Sequence, residues 1–156
     1  MSHRIAGALA ASAALAALGV AYFAQYVLLL APCELCLWER WPYRIVAVLG
    51  LLAAISPRGA TRVLLALAVP VLLGGTGIAG LHVGVEFGWW NSPLPECNGI
   101  LTPGAALPAT PATPCDAPVF LVPHLPVSMA MMDLCAALVF ALALLAYVMR
   151  KPRRFG

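Results

Sequence analysis

From Ile5 to Pro32 the chain carries no charged side chain. A helix needs ~20 apolar residues to cross the hydrocarbon core of a bilayer, so this run is long enough to span one. Arg4 followed by small apolar residues also resembles the start of a secretory leader. The run outlasts the ~7–15 apolar residues of such a segment, however, and reads as a retained span. Lipid offers the backbone no hydrogen-bond partners, so each crossing segment has to satisfy its own N–H and C=O groups. The composition extends this constraint to the whole chain: 63% of its 156 residues are hydrophobic and 10% are charged, against ~25% charged in a typical soluble domain. The expected fold is an all-α membrane protein in one domain covering residues 1–156.

Four spans follow from the runs, at about 5–31, 41–56, 63–85 and 127–149, with loops at about 32–40 and 86–126 on one side. Pro32 is expected to end the first helix, because proline lacks an N–H and restricts the residue before it. Pro42 suits a first helical turn, where a missing N–H costs nothing. Trp38, Trp41 and Tyr43 read as an interfacial aromatic belt. The segment Ser56 to Arg62 reads as a tight basic turn. Gly74, Gly75, Gly77, Gly80 and Gly84 would let neighbouring helices approach closely. The long loop is rich in proline, and its part from Thr102 to Pro114 has the composition of a flexible linker.

The few cations sit at segment ends. Arg4, Arg58, Arg62 and the tail Arg150-Lys151-Pro152-Arg153-Arg154 fall on one side of a four-span layout. The 86–126 loop holds Glu86, Glu96 and Asp116 but no Lys or Arg. The positive-inside bias then puts both termini in the cytoplasm. A net charge of +3 distributed in this way gives no reason to expect a nucleic-acid partner. Arg40 and Arg44 lie on the outer side, against the bias, and invite a functional explanation.

Chemistry concentrates in the cysteines. Cys33 and Cys36 form a C-x-x-C, a spacing that puts both on one helix face. Thiolates are the reactive form, and nearby cations or a helix N-terminus favour them. Arg40 follows Cys36 by four residues and shares its face. Cys97 and Cys115 bracket the linker-like part of the loop. Both pairs fall on the side where disulfides persist, and two pairs on one face suggest a relay, although an inert staple gives the same spacing. Zinc sites favour two close pairs, so no metal is expected. Arg40 alternatively snorkels to lipid headgroups. His82 also suits helix packing, and Gln25 suits a hydrogen bond to a neighbouring helix. Asp133 reads as a helix-start carboxylate favoured by the dipole. Cys135 reads as a packed thiol, and His124 as a solvated loop residue.

The block Gln25-Tyr26-Val27-Leu28-Leu29-Leu30-Ala31-Pro32-Cys33-Glu34-Leu35-Cys36, followed by Glu39-Arg40, resembles the disulfide bond formation protein B (DsbB) family. Gly80 to Glu86 before Trp89-Trp90 and Cys97 is similar to that family too, as is Pro114-Cys115-Asp116. The resemblance implies a bacterial inner-membrane enzyme that reoxidises a periplasmic DsbA-like thiol oxidase and reduces a membrane quinone, ubiquinone or menaquinone. It further implies that Cys97 meets the partner's thiolate, with Cys115 as its pair in the loop. Cys33 and Cys36 pass the electrons on, Cys36 being the thiolate that engages quinone, and a Cys33–Cys115 exchange links the loops. Arg40 matches the arginine beside the quinone headgroup, and His82 is a second candidate there. A strongly oxidising partner could not pass its electrons to a glutaredoxin-type couple, which lies uphill by ~4 kcal/mol. Two rivals stand beside this reading. One is a vitamin K epoxide reductase-like enzyme, which the order of the pairs disfavours. The other is a disulfide-stapled membrane scaffold without catalysis.

Overall fold

The computed structural model describes residues 3–98, 113–121 and 125–150. Among them are four α-helices and no strand: α1 (His3–Tyr26), α2 (Glu34–Ile55), α3 (Arg58–Glu86) and α4 (Met129–Met149), with one 3₁₀ turn at Pro95–Asn98. The helices pack in chain order, α1 on α2, α2 on α3 and α3 on α4. Helices α1, α3 and α4 are long and apolar enough to cross a membrane. Helix α2 has 22 residues, and its first half carries Glu34, Glu39, Arg40 and Arg44. At 1.5 Å per residue it is nonetheless ~33 Å long. The protein is a multi-pass, four-span membrane bundle.

The core is built from small and branched residues, among them Ala14, Val46, Leu65, Leu72, Ala137 and Ala141. Larger apolar side chains such as Leu9, Val20, Leu51, Leu67 and Leu142 point outward. Lipid tails are as apolar as leucine, so the exposed ones cost nothing there and helix association depends on close packing. The α1/α2 crossing shows this. A Cβ on Gly50 would lie 2.6 Å from the Ala11 backbone nitrogen, and one on Gly7 would overlap the backbone at Ala54.

Several local expectations are corrected. Helix α1 ends at Tyr26, six residues before Pro32. Leu29 adopts φ 55°, and the chain runs irregularly to Pro32. Helix α2 begins at Glu34, so most of the expected 32–40 loop is helix. Cys33 caps it, accepting a hydrogen bond from the Cys36 N–H. Pro42 therefore lies inside α2. It is buried against α3, where Gly75 leaves room for its ring. Gly84 makes similar room for Trp90, whereas a Cβ on Gly74 or Gly77 would meet nothing. Arg58 and Arg62 belong to the first turns of α3 rather than to a turn. Arg62 donates to the carbonyls of Val148 and Arg150 at the end of α4. At the opposite end Ser128 caps α4 and donates to Glu86 at the end of α3.

Candidate active site

The face of α2 that begins at Cys36 continues through Glu39, Arg40 and Tyr43, at i, i+3, i+4 and i+7. These positions share one side of a helix, and here that side faces the bundle interior. Trp38 and Trp41 fall on the other side and are exposed. Tyr43 is only 5% exposed; it is part of the interior stripe and not of the aromatic belt.

Each stripe residue reaches a different helix. Arg40 Nη1 donates to Gln25 Oε1 of α1 at 2.6 Å, and its guanidinium lies 5.0 Å from the Tyr22 ring centroid. At 6% exposure Arg40 does not snorkel. Glu39 Oε1 lies 2.8 Å from His82 Nδ1 of α3, and both side chains are buried. Tyr43 donates its hydroxyl to Asp133 Oδ1 of α4 at 2.7 Å. Asp133 is thus in the second turn of α4, bonded to a neighbouring helix, and is not the helix-start carboxylate expected. Arg44 donates to the Tyr22 hydroxyl at 2.8 Å and stacks on Trp41.

Cys33 sits directly above this stripe. Its Sγ accepts from the Cys36 N–H at 3.2 Å and lies 3.5 Å from His82 Nε2. The Cys36 thiol hydrogen bond, with the Cys36 N–H behind it, holds the Cys33 thiol below its ordinary range despite the opposing cost of burial. With the Glu39 carboxylate at Nδ1, the ring proton belongs on that nitrogen, and Nε2 is left to receive the Cys33 proton. Nucleophile, base and orienting acid are lined up in the order that thiol activation requires.

Cys97 and Cys115 are joined as a disulfide with 5.0 Å between their Cα atoms. The sequence placed the pair around a linker-like stretch of the long loop. Both cysteines are nonetheless buried, at 4% and 1% exposure, and they pack in one cluster with Cys33, Leu35 and Val85, against which Cys36 also packs. The pairs that lie far apart in sequence meet at one end of the bundle. The linker-like residues 102–112 and His124 lie outside the described residues. Cys135 is a free thiol on the exposed face of α4 and is not a packed one.

A cleft opens beside the dithiol. Its polar end is lined by Cys33, Cys36, Gln25, Glu39, Arg40 and His82, and its walls by Ala17, Leu18, Ala21, Ala24 and Met129. Tyr43 and Asp133 line it as well. All six residues singled out from the sequence, Cys33, Cys36, Arg40, His82, Cys97 and Cys115, therefore gather at this end of the molecule. Glu39, Tyr43 and Tyr22 were missed. The first two are legible in retrospect as i+3 and i+7 from Cys36. Tyr22 is legible only as i−3 from Gln25.

Fold and site define a polytopic membrane protein with a dithiol and a disulfide sharing one end of a four-helix bundle. The profile of the disulfide bond formation protein DsbB family matches residues 3–147, and the chain belongs to that family. A disulfide bond formation protein B of Ralstonia nicotianae is 34% identical over 147 residues, 87% of each chain. Disulfide bond formation protein B 1 of Pseudomonas fluorescens is 39% identical over 74 residues, 47% of this chain and 44% of that protein. The counterpart from Herminiimonas arsenicoxydans is 34% identical over 76 residues, 49% of this chain and 48% of that protein. In the last two the match spans about half the length of the relative. No solved structure matches.

Proposed function

We propose that this protein is an inner-membrane thiol:quinone oxidoreductase. It reoxidises a periplasmic DsbA-like dithiol oxidase, with both termini in the cytoplasm. The observation that carries the reading is the shared cluster of the Cys97–Cys115 disulfide and the Cys33/Cys36 dithiol, beside a cleft that holds Arg40. Arg4, Arg58, Arg62 and Arg150 lie toward the other end of the helices, which supports the orientation.

Electrons enter when the partner's thiolate attacks Cys97 and the S–S pair leaves on Cys115. Because Cys97 is buried, the cover over it has to part when the partner docks. The Cys115 thiolate then attacks Cys33 in a Cys33–Cys36 bridge, and that S–S pair leaves on Cys36. The partner's second thiolate displaces Cys97 and departs oxidised. The freed Cys97 thiolate regenerates the loop disulfide by attacking Cys115, and the displaced pair leaves on Cys33. The dithiol state with a loop disulfide is the one described above, and in it the Cys36 N–H and His82 Nε2 converge on Cys33. His82 holds the Cys33 proton and Glu39 orients the ring.

The residues present fit a quinone. The cleft joins small apolar walls to a polar end with a buried guanidinium, which suits a flat headgroup bearing carbonyl acceptors on an apolar tail. Arg40 would donate to a carbonyl and Cys36 would face the ring. A bound quinone supplies an acceptor for two electrons and two protons. Purified protein in detergent should reduce a soluble quinone only when a reduced DsbA-like partner is present. Turnover should be lost in Cys36→Ala, and undiminished turnover in that variant would sink the assignment.

A further inference from the structure

We propose that the reduced dithiol and His82 form a site for a thiophilic metal ion, Zn²⁺ being the occupant that fits best. The ligand atoms of Cys33, Cys36 and His82 all lie within 4.8 Å of one another. The spacing of the cysteines alone argues against zinc, since the second pair is wide and bridged. The third ligand comes instead from α3, 46 residues beyond Cys36 and outside any C-x-x-C pattern. A tetrahedral Zn²⁺ with Zn–S ~2.3 Å and Zn–N ~2.05 Å separates sulfur from nitrogen by ~3.6 Å. The observed Cys33 Sγ to His82 Nε2 distance is 3.5 Å. The ligand set is therefore spaced for an ion with almost no rearrangement of that pair.

Two further features point the same way. Glu39 bonds His82 Nδ1 at 2.8 Å, the carboxylate–histidine pairing that fixes a metal-ligating ring with its other nitrogen free. Two thiolates also neutralise a dication, so the bound state adds no net charge in a buried place. Binding displaces the Cys36 thiol proton and the Cys33 proton that His82 Nε2 otherwise holds, and both leave to solvent. Three protein ligands leave a fourth position on the side of the cleft, as in open zinc sites. No oxidation occurs, and the metal holds the dithiol in its reduced state. The consequence for turnover rests on the relay proposed above: a metal-bound dithiol cannot pass electrons on, so free zinc would halt the enzyme reversibly. The binding itself does not depend on that relay.

The test uses the full chain in detergent, with Cys97, Cys115 and Cys135 replaced by serine so that one thiol pair remains. The protein is titrated with Co²⁺ and then Zn²⁺, reading the thiolate-to-cobalt charge-transfer band and the tetrahedral ligand-field bands. One Co²⁺ per chain is expected in the reduced protein and none after Cys33 and Cys36 are oxidised to a disulfide. Glu39→Gln should weaken binding about 10–100-fold, and His82→Ala by more. Absence of tetrahedral bands in the reduced protein, or equal binding when oxidised, overturns the site. Affinity unmoved by His82→Ala overturns the ligand set. The redox comparison needs no change at His82 or Glu39, so it decides the question even if those variants misfold. In the unsubstituted protein, with all five cysteines present, loss of partner-driven quinone reduction with zinc, restored by a chelator, carries the regulatory step. If turnover is absent even without zinc, the relay fails while the metal bands still stand or fall on their own.

Discussion

The buried Glu39–His82 pair allows a sharp energetic test. The two groups are 2.8 Å apart with side chains 9% and 4% exposed. As a charge pair at an effective dielectric of ~20, their attraction is about 6 kcal/mol. Taking each ion out of water costs several kcal/mol, so the net contribution of the intact pair is small. Removing one partner is different, because the survivor keeps its desolvation cost and loses its attraction. Replacing His82 with leucine should therefore cost about 3–5 kcal/mol, and so should replacing Glu39. The double replacement Glu39→Leu/His82→Leu should recover most of that loss, since neither member of the pair is left as an unpartnered buried charge. Thermal unfolding in a fixed detergent, followed by circular dichroism, gives the three values for a double-mutant cycle. Additive single effects, with the double variant the least stable, would refute the reasoning. The same double variant should still lack the His82 base beside Cys33, so stability and proton transfer from Cys33 should separate.

The Cys33 thiol is held below its ordinary range chiefly by the Cys36 hydrogen bond, so its thiolate fraction at pH 7 should exceed that of a free cysteine. Alkylation rate against pH should show a midpoint below ~8.5, moving up in Cys36→Ala; an unmoved midpoint would reassign the cause. Arg40→Ala should raise the apparent quinone KM about tenfold or more, equivalent to ~1.4 kcal/mol of lost binding, with Gln25→Ala giving a smaller rise. An unchanged KM in Arg40→Ala would mean that Arg40 only braces α1 through Gln25.

The spans were legible because uncharged runs leave few choices, and even α2 was found despite its four charges. Its start was misplaced because the charges read as loop and Pro42 as a first-turn residue, whereas Cys33 caps a helix that begins at Glu34 and Gly75 makes space for the proline ring. The two cysteine pairs and Arg40 were singled out from spacing and resemblance, and they share one end of the bundle. The burial of Cys97 and Cys115 was not legible, because proline-rich composition says nothing about what a loop folds onto. Cys135 and Asp133 were misread for a related reason. A residue's position along a span does not tell which face it occupies until neighbouring helices are in place, and Asp133 has its partner 90 residues away.

The polar stripe on α2 accounts for both the packing and the site. Ionisable groups within a span are expensive and persist where they are partnered and used. Here Arg40 bonds α1, Glu39 bonds α3 and Tyr43 bonds α4. One helix thus sends a separate polar link to each of the other three, all within two turns after Cys36. In an apolar surround such links fix register, because sliding any helix by a turn would leave at least one buried polar group unsatisfied. The residues that fix the register also surround the cleft and orient the base at Cys33. It follows that the dithiol is held by the bundle and not by its own loop, so a substitution on α1, α3 or α4 at Gln25, His82 or Asp133 should disturb thiol chemistry while leaving the cysteines untouched.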